Sequence, residues 1–167
     1  TLFIQAVDVS DQVAMQVVIA EVRHRFGAIH RVIHAAGIGG ANLIAQRDDA
    51  ALAAVLAPKV QGTLVLEALL HDQSLDFFVL CSSLSAFLGG VGQVAYTAAN
   101  AFQDACAQSR AQRYPCLSLN WDAWREVGMA ADQFAEGRQG VPQADYGLYP
   151  AQGQQLFGQA LASGLPQ

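Results

Sequence analysis

Apolar and polar positions recur along this chain at two periods, and the switches between them mark out its elements. Thr1 to Val7 is a short β-rich run ending at Asp8, which predicts a strand. Ser10 and Asp11 then cap a helix whose apolar positions Val13, Met15, Val18, Ile19 and Val22 recur at helical spacing up to Gly27. Val32 to Gly37 reads as a buried strand that breaks into the glycine-rich loop Gly37 to Gly40. Asp48 and Asp49 open a long helix through His71, which Pro58 is expected to kink or restart. Asp76 to Cys81 predicts a third strand, about Val91 to Arg113 a third helix, and Cys116 to Trp121 a fourth strand. From Gly128 to Gln143 the pattern is polar and glycine-bearing, as in a surface loop or lid, and a last helix is expected over about Pro150 to Ala162. Strands separated by helices need crossovers, and crossovers imply a parallel sheet with helices on both faces, so the fold class is α/β.

Composition narrows the partners. The chain has 167 residues, 53% hydrophobic and 14% charged, enough for the core of one domain. Its net charge of −5 comes without a basic cluster, which argues against nucleic acid and against an anionic membrane surface. The apolar runs are expected to be too short to span a bilayer, and no signal-peptide pattern opens the chain, so a cytoplasmic protein is expected. Cys81, Cys106 and Cys116 sit in apolar surroundings and read as reduced core thiols. No metal-ligand spacing joins them to His24, His30, His34 or His71, and no metal is expected.

The chemistry concentrates between Cys81 and Asn100. An apolar strand stops at Cys81-Ser82-Ser83, a turn follows through Gly89, Gly90 and Gly92, and a helical pattern begins. Ser83 then stands at the carboxyl end of a strand, where ligands of open α/β sheets bind, while Tyr96 and Asn100 share one helix face. A hydroxyl, a phenol and an amide converging there suit proton chemistry on a carbonyl. Singly, each has a plainer reading: a serine after a strand caps a turn, a helical tyrosine packs, a lysine is solvated. Their joint spacing is what points to catalysis. No G-x-G-x-x-G opens the sequence, and Gly37-Ile38-Gly39-Gly40 is a weak substitute.

Ser83, Tyr96 thirteen residues on, Asn100 four further and Lys59 twenty-four before the serine resemble the catalytic set of polyketide synthase ketoreductase domains, in the short-chain dehydrogenase/reductase superfamily. The resemblance extends to Ile33-His34-Ala35-Ala36-Gly37, Ala57-Pro58-Lys59-Val60, Gly92-Gln93, Ala98-Ala99-Asn100-Ala101-Phe102, Asn120-Trp121-Asp122-Ala123-Trp124, Gly128-Met129-Ala130 and Gly147-Leu148-Tyr149-Pro150. It covers essentially the whole chain, residues 1–167, as the carboxyl-terminal, catalytic part of one ketoreductase domain with no second domain and with 126–146 as lid loop. The implied fold is a Rossmann-like doubly wound parallel sheet lacking its first strands and phosphate loop, which are expected upstream.

The resemblance implies NADPH-dependent reduction of a β-ketoacyl thioester carried on the phosphopantetheine arm of an acyl carrier protein. Tyr96 would donate the proton, Ser83 would hold the keto oxygen, and Lys59 would bind the nicotinamide ribose and favour the phenolate. Asn100 completes the set, having exchanged places with the lysine relative to most of the superfamily. Asp8 and Val9 match the position flanking the adenine, Ala35, Ala36 and Gly37 the loop under the cofactor, and Asn120 and Trp121 the nicotinamide side. Leu88, Gln93 and Met129 fall on the substrate and lid side. The rest of the ketoreductase and the neighbouring synthase domains are further expected partners. Gly39-Gly40-Ala41 stand where many such domains carry Leu-Asp-Asp, and Leu88 where others carry tryptophan, so neither stereochemical fingerprint is present. Two rival readings are a non-reducing structural subdomain, expected to have lost the serine or tyrosine, and a stand-alone alcohol dehydrogenase, expected to have lysine at Asn100.

Overall fold

The computed structural model describes residues 1–40, 43, 45, 48–110, 114–135 and 147–167. The first helix, α1 (Gln12–Phe26), starts where the Asp11 carboxylate accepts the amides of Val13 and Ala14, and ends at Gly27, whose φ of 84° only glycine adopts readily. It is followed by β1 (Arg31–His34) and by two helices in tandem, α2 (Asp49–Lys59) and α3 (Gln61–Leu69). Asp48 caps α2 by accepting the Ala51 amide at 2.6 Å. The expected single helix divides at Val60, because Pro58 has no N–H for the preceding turn. Next come β2 (Phe77–Ser83), the short α4 (Ser85–Leu88), α5 (Val94–Arg110), β3 (Cys116–Trp121), α6 (Met129–Ala135) and α7 (Pro150–Ser163).

The three strands form a parallel sheet in the order β1-β2-β3, with Phe78 opposite Val32 and Cys116, and Ser83 opposite Trp121. Its core face is built by period-two alternation. Phe78 and Leu80 meet Met15 of α1, Val65 and Leu66 of α3, and Cys106 and Ala107 of α5. Along that face the rows change character, from Phe78 and Cys116, through Leu80 and Ser118, to Ser82 and Asn120. The carboxyl end of the sheet is therefore polar, and the amino end is an oily core. On β1 the opposite face is open, with Ile33 55% exposed.

Four expectations need correction. Thr1–Val7 forms no strand, because no described strand lies beside it; Phe3 instead packs on Phe26, with Arg25 over its ring. Asp49–Leu69 is, by length and composition, apolar enough to cross a bilayer, contrary to the expectation for every apolar run. Here it lies against the sheet and holds a charged Lys59 at its middle. Helices α4 and α6 occupy stretches expected to be loop, each too short to show a helical period. Trp124 and Leu148 form a bridge at the base of the stretch expected as the lid, of which residues 136–146 lie outside the described ones.

Candidate active site

The polar end of the sheet gathers the candidate residues. β2 delivers Ser83 at its last position, half-buried, with Oγ accepting the Ser85 amide at 3.2 Å. Because that bond uses a lone pair, the Ser83 hydroxyl proton stays free to be donated. Helix α5 carries Tyr96, Asn100 and Gln103 on one face, at spacings of four and three. Asn100, fully buried, donates Nδ2–H to the Tyr96 carbonyl at 2.7 Å, and its Oδ1 has no donor among the described residues.

Lys59 ends α2 and is only 4% exposed. Its Nζ donates to the Cys81 carbonyl at 2.5 Å and to Gln103 Oε1 at 3.0 Å, and not to Tyr96. Burial pulls this ammonium down to about 8, against the raising influence of Cys81 and Asp104. It remains mainly cationic at neutral pH. Above it lies the loop after β1, where a Cβ on Gly37 would come within 2.9 Å of Lys59 Cε, so only glycine leaves room for the lysine stem. His34, the last residue of β1, holds the neighbouring peptide through Nε2 and the Pro58 carbonyl at 3.0 Å. Desolvation and the charge of Lys59 lower its pKa to about 4, so it is neutral.

Asn120 braces the site from β3. Its Nδ2 lies 2.8 Å from Asp104 Oδ2 and 3.2 Å from Ser82 Oγ, and its Oδ1 accepts from Gln167. The side chain is thus spent on the protein, and only its backbone can serve a ligand. Trp121 packs edge-on against Trp124. Val9 reaches the site's edge, since a Cβ on Gly62 would meet Val9 Cγ1 at 2.7 Å and His34 at 3.5 Å. Next to it, Asp8 accepts the amide and hydroxyl of Ser10 at Oδ1 in an exposed turn. Ala35 and Ala36 follow β1 outside the ladder. Leu88 is 80% exposed, Met129 is exposed at the start of α6, and Gln93 lies over Gly90.

Lys59, Gly37, Cys81 and Gln103 are thus brought together, with Asn100 and Tyr96 continuing along α5. Gln103 was missed from the sequence, although its place seven residues after Tyr96 and three after Asn100 puts it on their face. A cleft of about 270 Å³ lies elsewhere, at the oily end, lined by Glu67, Phe78, Arg110 and Tyr114 among others.

The family model of the KR domain matches residues 2–126. Polyketide synthase PksN of Bacillus subtilis is 39% identical over 138 residues, which is 78% of this chain and 2% of that protein. The 6-methylsalicylic acid synthase of Aspergillus terreus is 38% identical over 133 residues, 78% of this chain and 7% of that protein. Among solved structures, a ketoreductase domain from the bacillaene assembly line superposes with a TM-score of 0.83 at 32% identity, covering 98% of this chain and 41% of the other. An A1-type ketoreductase gives 0.87 at 31% identity, covering 97% and 34%. The chain therefore spans a small part of its curated relatives.

Proposed function

This chain belongs to the ketoreductase domains of polyketide synthases, in the short-chain dehydrogenase/reductase superfamily, and from that premise we propose that it reduces a β-ketoacyl thioester to the β-hydroxyacyl thioester with NADPH. The substrate would be presented on the phosphopantetheine arm of an acyl carrier protein. The observation that carries the reading is the joint placement of Ser83, with its proton free, at the carboxyl end of β2, of Lys59 bound two residues earlier, and of Tyr96 on the helix that covers both.

The residues present fit a nicotinamide cofactor. Gly37 offers a surface without a side chain directly over Lys59, and one of the three Nζ hydrogens of Lys59 has no acceptor among the described residues. Lys59, Gly37, Ala36 and the backbone beside Asn120 would hold the nucleotide, with Val9 at the adenine side. Bound there, NADPH would supply the hydride. The chain's own part is to receive the charge that develops on the keto oxygen. The Ser83 hydroxyl donates a hydrogen bond to that oxygen, and the Tyr96 phenol gives it a proton. The buried Lys59 ammonium brings a positive charge to the same end of the sheet. Residues 126–146 form the lid in this reading, and Leu88, Gln93 and Met129 would face the acyl chain.

The complete domain, incubated with a β-ketoacyl thioester, should consume NADPH at least tenfold more efficiently than NADH and yield the β-hydroxyacyl product by mass spectrometry. Cofactor consumption without that product, or no consumption at all, would refute the proposal.

A further inference from the structure

Resting on the ketoreductase reading, we propose that Gln103 is a positioning residue for Lys59: its side-chain carbonyl and the Cys81 main-chain carbonyl together grip the ammonium, leaving one N–H held in a fixed direction for a ligand. The two acceptors come from different elements, β2 and α5. A tetrahedral ammonium with two hydrogens tied has its third fixed in direction, whereas with Cys81 alone it would turn about the Cε–Nζ bond. The stem is held as well, because Gly37 closes over Cε.

Packing alone gives no reason for an amide at this position. Gln103 is 0% exposed and its Nε2 has no acceptor among the described residues, a burden that a leucine of similar volume would avoid. The carbonyl end of the amide meets the Lys59 ammonium, a group that can only donate. The other titratable groups facing Lys59 are Asp104 on α5, Cys81 on β2 and His34 on β1. Asp104 and Cys81 help to hold its proton, and a neutral His34 adds no positive charge.

The test titrates Lys59 in the complete ketoreductase domain by NMR of its ε-carbon, assigned from the resonance lost in Lys59→Met. Gln103→Leu should lower the midpoint by about one pH unit, the scale of one hydrogen bond to a charged group, and move the alkaline limb of turnover with it. Gln103→Glu should raise both. An unchanged midpoint in folded Gln103→Leu protein overturns the proposal. Should that variant fail to fold, an unchanged or lowered midpoint in Gln103→Glu overturns it equally. The resonance needs no turnover, so a wild-type domain without ketoreductase activity would defeat the functional reading separately.

Discussion

Tyr96 and Lys59 are assigned different tasks, and substitution should separate them. Tyr96→Phe removes a proton donor while leaving the Asn100 bond to the Tyr96 backbone carbonyl untouched. Turnover should fall about 100- to 10,000-fold with NADPH affinity within about twofold of wild type. Lys59→Met should weaken both, since it removes the proposed ribose contact and the positive charge buried beside the polar end of the sheet. Stopped-flow kinetics with fluorescence titration of NADPH distinguishes the two outcomes; comparable turnover by Tyr96→Phe would remove it from the mechanism. The residues with a spacing signature, Ser83, Tyr96, Asn100 and Lys59, could be picked out from the sequence. Gln103 could not, because a lone glutamine in a helix looks like any solvated side chain until its burial is known. The unshared role of the Asn120 amide was equally hidden, since it depends on Asp104, Ser82 and Gln167 arriving from three separate segments.

Elements bounded by sharp turns were legible: β3 spans Cys116–Trp121 as expected, and α1 begins after its Asp11 cap. Thr1–Val7 was not, because β propensity becomes a strand only where a neighbour accepts the ladder bonds. One long-range fit was also invisible. Helix α7 passes Trp124 at Gly153, where a Cβ would lie 2.3 Å from Trp124 Cη2 and 2.6 Å from Cζ2. A half-buried indole in edge contact with Trp121 cannot swing aside easily. Gly153→Ala should therefore destabilise the domain by about 1–3 kcal/mol through overpacking, despite alanine's better helix propensity. Gly158→Ala, on the same helix with nothing within 4 Å, is the control and should be neutral or mildly stabilising. Urea denaturation of the two variants checks the pair.

At the scale of the whole molecule, the polar end of the sheet makes stability depend on pH through His34. Its pKa falls from 6.5 to about 4 on folding. Above pH 6.5 it is neutral in both states, so its contribution is fully present; as pH drops toward 4 the unfolded chain takes up a proton that the folded one refuses. Roughly 3 kcal/mol should be lost across that window, from the size of the shift. Urea midpoints at pH 7 and pH 4.5 measure it, and His34→Gln should flatten the dependence; equal slopes would place the acid sensitivity elsewhere. The site's cation has a consequence of a different kind. The sequence contains one lysine, and it is Lys59; arginine supplies every other permanent positive charge. Chain ends aside, this whole stretch offers acylating reagents, reducing sugars and isopeptide-forming enzymes no amine on its surface. Amine-directed labelling here would bypass the exterior and register only how often the polar end of the sheet comes open.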